Sequence, residues 1–468
     1  MSEPAPPPAP LPAQQPPHRS APNSAHRSAP VTATAVPSWA RSAGLTAGGT
    51  AAIVVAAAGL LLSRIDLALL ALPLVVALAW TWERRPDQTE AATATLTLAE
   101  LGGTEVDFTI AIAAPVGVEA IALRYTLLAG EAREIVVAGP LSGDLVGRVP
   151  LLHSGPQELV RAEYRFLGAD AGALSLPQEP LVASRVVAPP RAVIGWLPLP
   201  RRLQGLTGSH ESARAGDGGD FRDIHPFSAG DRLRRIDWKA TARRGQNAGD
   251  LYVRRTAALA DATVLIVLDS RDDVGEQVAE WNRNTPAAKG ISALDVAREA
   301  ASSIAAGYIQ AGDRVGFQDL SSRSRMIAHA GGSRHLWRLL RAIEITQPSA
   351  VRFRHQRPPI VPPGALVYLL SSLLDDEAVR LALRWRGNGH RVIAVDVLPA
   401  ARFARTTRYE RIAYRIVMME REDRIRTLQA GGVELLRWPE DGTSLPRQAR
   451  LKLLSRPVRN AGSRGGRR

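Results

Sequence analysis

Directly after the apolar run Val264–Leu268 the chain reads Asp269, Ser270, Arg271, Asp272, Asp273. Hard divalent cations are held where several oxygen ligands converge. Three carboxylates this close are the donors a metal-dependent hydrolase or nuclease would use. Arg271 stands among them, and a guanidinium repels a cation while gripping a carboxylate with two parallel hydrogen bonds. The expected state of Asp269, Asp272 and Asp273 is therefore an ion-paired loop, with metal binding as the rival. Neither a GxGxxG turn nor a GxxxxGK[ST] loop follows this run, which argues against a dinucleotide or a nucleoside triphosphate there. The chain has no cysteine, so thiolate nucleophiles, zinc thiolates and disulfides are excluded. His210, His225, His329 and His335 lack metal-ligand spacing. No catalytic residue and no cofactor is expected.

A second stretch is denser in charge. Residues 219–243, GDFRDIHPFSAGDRLRRIDWKATAR, interleave Asp220, Asp223, Asp231 and Asp237 with Arg222, Arg232, Arg234, Arg235, Lys239 and Arg243, around Phe221, Phe227 and Trp238. Carboxylates repel phosphate, so this is a poor nucleic-acid stripe, and no nucleic-acid partner is expected. Two readings stay open. The Arg–Asp pairs tie the segment to the rest of the fold, or the aromatics and arginines form a protein docking surface.

The elements that must position these residues follow from pattern. From Thr263 onward apolar runs alternate with helical spacing: VLIVLD, a helix from Ala293, GDRVGF, a helix from Ser333, ALVYLLSS, a helix from Asp375 ending at Gly389, and HRVIAVDVL. Strands and helices in this alternation imply a doubly wound, Rossmann-like, mostly parallel sheet. Ligands of such sheets bind beyond the carboxyl ends of the strands, which is where Asp269 falls. The segment YERIAYRIVMMEREDRIRTLQAGG reads as a solvated helix on the sheet, with an apolar stripe and alternating charge. Residues 90–190 alternate over short runs bounded by Gly, Pro and Asp, the pattern of an antiparallel β-sandwich.

Ahead of it, residues 45–62 and 67–82 carry no charge, and Trp80 and Trp82 close the second run. These lengths suit membrane-spanning helices over 44–84, with Gly44, Gly48, Gly49 and Ala52 allowing close packing. Arg19, Arg27 and Arg41 precede the first run and Arg84 and Arg85 follow the second, so both ends belong in the cytoplasm. The expected location is the inner membrane, multi-pass, with the folded parts cytoplasmic and the bilayer as a partner. The excess of 59 Lys and Arg over 45 Asp and Glu, a net charge of +14, suits an anionic membrane face. Residues 1–43, rich in Pro and Ala, and the basic tail 457–468 are expected to be disordered.

Over residues 205–398 the chain resembles the domain of unknown function 58 family. The resemblance rests on Gly218, Gly219, Asp220, Phe221 and Arg222, on the GDxxRxIDWxxTAR pattern from Gly230 to Arg243, and on VLIVLD, GDRVGF and GGSRHLWRLL. It implies a von Willebrand factor type A-like domain over 259–456 behind the motif region 200–258. It also implies partnership with a MoxR-type AAA+ ATPase in assembly or maturation of protein complexes. Relatives of this type carry a metal-ion-dependent adhesion site, DxSxS. Here Asp269 holds its first position, Arg271 and Asp273 replace the serines, and Ser372 stands where a later acid is expected, so the metal role is not carried over. The reading is a non-enzymatic, membrane-tethered adaptor, with docking or structural residues Asp220, Phe221, Arg222, Asp231, Arg234, Asp237, Trp238 and Arg243. A metal-dependent hydrolase or nuclease and a cell-envelope scaffold without an ATPase are the alternatives.

Overall fold

A computed structural model describes residues 29–83, 86–99, 104–128, 130–139, 144–168, 172–201, 203, 208, 210–247, 249–281, 290–320, 326–348, 359–440 and 445–456. It is a mixed α/β chain with several sheets.

The first folded unit consists of two antiparallel sheets. Strands β1 (Val31–Ala35), β3 (Ala92–Leu98), β4 (Glu105–Ala113) and β7 (Leu145–Pro150) lie side by side in that order. The other sheet runs β2 (Trp39–Arg41), β9 (Ala173–Ser175), β8 (Gly155–Gly168), β5 (Val118–Leu127), β6 (Arg133–Ala138), with β10 (Leu181–Val187) also on β8. Alternation decides which side chains go inward. Val106, Phe108, Ile110 and Ile112 of β4 share one apolar core with Ile121, Leu123, Leu159 and Phe166 of the other sheet. The expectation of disorder is corrected for the strands between residues 31 and 41, while residues 1–28 and the tail 457–468 lie outside the described residues. VTATA pairs antiparallel with β3, Val31 opposite Leu96, and Trp39–Arg41 pairs with Ala173–Ser175. A Pro- and Ala-rich composition hides short strands whose partners lie far along the chain.

Between β2 and β3 lie α1 (Ala43–Leu61), α2 (Ile65–Leu70) and α3 (Leu72–Glu83). Only α1 among the described residues is long and apolar enough to cross a membrane. The second apolar run is broken at Ala71 because Pro73 lacks the N–H and the space that a continuous helix requires. Gly44, Gly48 and Gly49 are not the close contact. A Cβ on Gly48 would meet nothing within 4 Å, whereas one on Gly59 would lie 2.5 Å from Ala68 N. With Gly49 facing Leu78, α1 runs antiparallel to α2 and α3.

The remaining elements are a two-stranded ribbon, β11 (His210–Pro226) with β12 (Tyr252–Ala260), and a six-stranded sheet. The sheet order is β15 (Ile327–Ala330), β14 (Arg314–Asp319), β13 (Thr263–Leu268), β16 (Leu366–Ser371), β17 (Arg391–Asp396), β18 (Glu434–Arg437), parallel except for the edge strand β15. Its first strand is buried on both sides, as its unbroken apolar run requires. Val264, Ile266 and Leu268 face α5 (Ala293–Gln310), α6 (Ser333–Glu344) and α9 (Arg447–Ser455). Leu265 and Val267 face α7 (Asp376–Gly387) and α8 (Arg408–Ala430). From β13 the chain first builds outward to β14 and β15, then returns to β16 on the other side. The carboxyl ends of β13 and β16 thus flank the point where strand order reverses.

Candidate functional site

At that point stands Asp269, with 7% of its surface exposed. Arg271 donates from Nε and Nη2 to its two oxygens at 2.7 and 2.8 Å. The same guanidinium reaches Asp375, Nη1 lying 3.0 Å from Oδ2. Ser371 Oγ, at the end of β16, donates to Asp269 Oδ2 at 2.9 Å, and Ser270 Oγ lies 2.8 Å from Asp319 Oδ1 at the end of β14. Burial opposes the charge on Arg271, but its hydrogen bonds and attraction to Asp269 prevail and hold its pKa above the usual arginine value. Asp375 caps α7, accepting from Glu377 N and Ala378 N. Burial pushes its carboxyl up despite the nearby Arg271.

The three carboxylates of the sequence reading do not converge. Asp273 turns away and accepts from Leu294 N at 2.9 Å, at the start of α5, and burial raises its pKa. Asp272 is half-buried and adds its charge to the field on Arg271. The serine bonded to Asp269 is Ser371; the Ser372 carbonyl accepts from Arg421 Nε at 2.8 Å. The neighbours that matter, Ser371 and Asp375, lie 102 and 104 positions from their partners, beyond any local pattern. A divalent cation does not fit this arrangement, because a guanidinium already spans both oxygens of Asp269. Among the described residues no group of three or more His, Cys, Asp or Glu is placed to hold a metal. Arg421 likewise pairs with Asp396 at the end of β17.

The motif region divides its residues between two tasks. Asp237 caps α4 (Trp238–Arg244), accepting from Ala240 N at 2.9 Å. Asp231 accepts from Ser228 N and Oγ and from Arg255 Nη2. The two Ser228 bonds come first in lowering its pKa. Thr241 Oγ1 accepts from Tyr252 N, and Asp237 N donates to Tyr252 O. These groups fasten the motif to β12. Others point outward. Leu233, Trp238 and Phe221 are 69%, 68% and 53% exposed. Arg254 stacks over Phe221 at 5.3 Å, and Arg222 lies 3.6 Å from Asp223. Arg234, Lys239, Arg243 and Arg244 are exposed and form no ion pair among the described residues. Asp220 lies within β11; its side chain is outside the described residues.

A third cluster joins the β-sandwich to the sheet. Asp295, in the capping box of α5, accepts from Ser154 N at 2.7 Å and from Ser154 Oγ at 2.9 Å, and lies 2.6 Å from His153 Nδ1. Burial works against its charge, yet these bonds hold its pKa below the usual value. Arg298 donates to the carbonyls of Ser154 and Thr346. Gly155 has φ +85 and leaves no room for a Cβ beside that guanidinium. Nothing in the sequence flagged this junction, since its members lie more than 140 positions apart.

Residues 223–402 match a family model described as "Protein of unknown function DUF58". This segment belongs to that family. The DUF58 segment holds the motif from Asp223, the Arg271 site and the sheet as far as β17. No curated protein matches the chain. A solved structure titled "Crystal structure of Br derivative BhCBM56" is 18% identical, over 20% of this chain and 91% of its own, with a TM-score of 0.14; so slight a likeness carries no argument.

Proposed function

We propose that the protein is a membrane-tethered, non-enzymatic adaptor whose DUF58 segment, read as a doubly wound von Willebrand factor type A-like domain, docks on a MoxR-type AAA+ ATPase. One observation carries this reading: Trp238 and Leu233 stand exposed among Arg234, Lys239, Arg243 and Arg244, on a support fixed by Asp231, Asp237 and Thr241. An exposed aromatic anchor, with neighbouring cations in the sequence that form no ion pair among the described residues, suits an acidic, partly apolar protein surface. No comparable observation favours the hydrolase or nuclease, since Asp269 is committed to Arg271 and Asp273 to Leu294 N.

The tether is read as a two-pass hairpin, α1 out and α2–α3 back, in the inner membrane. Support comes from connectivity. β1 and β2 precede the apolar segment, β3 follows it, and all three belong to one sandwich, which requires an even number of crossings. α1, at 19 residues, spans about 28 Å at 1.5 Å per residue, close to the hydrocarbon thickness.

The test is capture from membrane extracts by the full-length chain. Wild type is expected to retain a hexameric AAA+ ATPase, and Trp238→Ala with Arg243→Glu to lose it while keeping its circular dichroism and thermal midpoint. Equal capture by the folded double variant would remove the motif as the docking surface.

A further inference from the structure

Helix α8 carries two apolar faces. One is buried: Ile425 and Leu428 pack with Leu265 and Val267 of the sheet. The other is not. Tyr409, Ile412, Ile416 and Met419 are 84%, 46%, 53% and 69% exposed, and they recur at intervals of three, four and three residues. A single exposed apolar residue needs no explanation, but this interval over two heptads is the a/d seam by which helices interlock knobs into holes. The seam lies on the side of the helix away from its own sheet. The first half of the helix is held firmly, with Tyr414 edge-on to Trp281 and Phe403 at 5.4 and 5.0 Å, so little freedom remains to be lost on association.

The charges beside the seam select the occupant. Arg415 precedes Ile416, and Glu420 follows Met419. In a parallel pair of helices, a residue before one a position faces the residue five further along on the other helix. Arg415 of one copy then meets Glu420 of the other, twice over by symmetry. Arg415 forms no ion pair among the described residues, and Glu420 has only a 3.5 Å contact with Arg424 on its own helix. The helix is complementary to itself in that register.

We propose that α8 pairs in parallel with α8 of a second copy of this chain, forming a two-heptad seam that makes the protein a homodimer. The proposal is independent of docking through Trp238. Two heptads give weak association in dilute solution; confinement of both copies to one bilayer would raise their effective concentration.

Because the chain has no cysteine, single cysteines can be placed cleanly in the full-length membrane-embedded protein. Ile412→Cys, Ile416→Cys and Met419→Cys are each expected to cross-link to themselves on mild oxidation, since like seam positions approach within disulfide reach. Arg411→Cys, on another side of the helix, is expected to remain monomeric. Ile416→Glu should raise the dimer dissociation constant roughly tenfold or more, measured by sedimentation in nanodiscs. Arg415→Glu and Glu420→Arg should each weaken the dimer, and the double exchange should restore it. The proposal fails if the seam cysteines do not cross-link, if only one of them does, if Arg411→Cys cross-links equally, or if Ile416→Glu leaves association unchanged.

Discussion

The arginine at position 271 settles the chemistry of the strand ends. Its side chain and that of Asp269 are each only 3% exposed, so each charge depends on the other. Removing one partner of a buried pair leaves the other uncompensated, at a cost of roughly 3–5 kcal/mol. Arg271→Ala is therefore expected to lower unfolding free energy by about 3 kcal/mol in urea titrations of the full-length protein. Asp269→Asn combined with Arg271→Met should recover part of the loss, because fewer charges then stay buried without a partner. Equal destabilisation by the double variant would mean that packing, not charge, holds the loop. The Asp269–Arg271 pair was legible in the sequence because its members are two residues apart. Ser371 and Asp375 were not, since only the parallel pairing of β13 with β16 brings them near. The motif was half legible. Its mixture of signs pointed to both a clamp and a surface, and the fold divides them, with Asp231, Asp237 and Thr241 inward and Trp238, Arg234 and Arg243 outward.

Elements whose reason lies in their own residues could be read; elements whose reason lies elsewhere could not. β4 alternates and β13 is uniformly apolar, so burial on one side or on both is written in the local pattern. β1 and β2 are short, and they exist as additions to sheets made of residues 50 or more positions away. The apolar helices fall between these cases. Their lengths were legible, and Pro73 explains the break, but the closest contact went to Gly59 and not to the glycines nearer the start of α1. This gives a sharp contrast. A side chain on Gly59 must push into the backbone at Ala68, and overpacking of this kind costs about 1–3 kcal/mol. Gly59→Leu should depress the thermal midpoint of the nanodisc-embedded protein by several degrees, whereas Gly48→Leu, with nothing within 4 Å, should leave it unchanged. A similar drop in both would place the helix contact elsewhere.

At the scale of the whole chain, the β-sandwich lies between the apolar segment and the sheet and is bonded toward both. Ser42 N donates to Gly172 O beside the start of α1, while Asp295 and Arg298 bind the loop at Ser154. On the proposed function, the motif would then be joined to the tether by folded structure instead of a loose linker. Under the proposed tether, this arrangement calls for an even number of crossings. If α1 crosses the bilayer, α2 and α3 must bring the chain back, because Thr32 and Thr95 are cross-strand partners in one sheet. The turn at Ser63 would lie on the far side. With no native cysteine to interfere, Ser63→Cys should react with a membrane-impermeant maleimide added to intact spheroplasts, and Thr32→Cys and Thr89→Cys should react only after permeabilisation. Labelling of Thr32→Cys and Thr89→Cys from outside, with Ser63→Cys spared, would reverse the orientation. Protection of all three until permeabilisation would mean that the apolar segment does not cross, leaving its exposed leucines and valines to be covered by another protein.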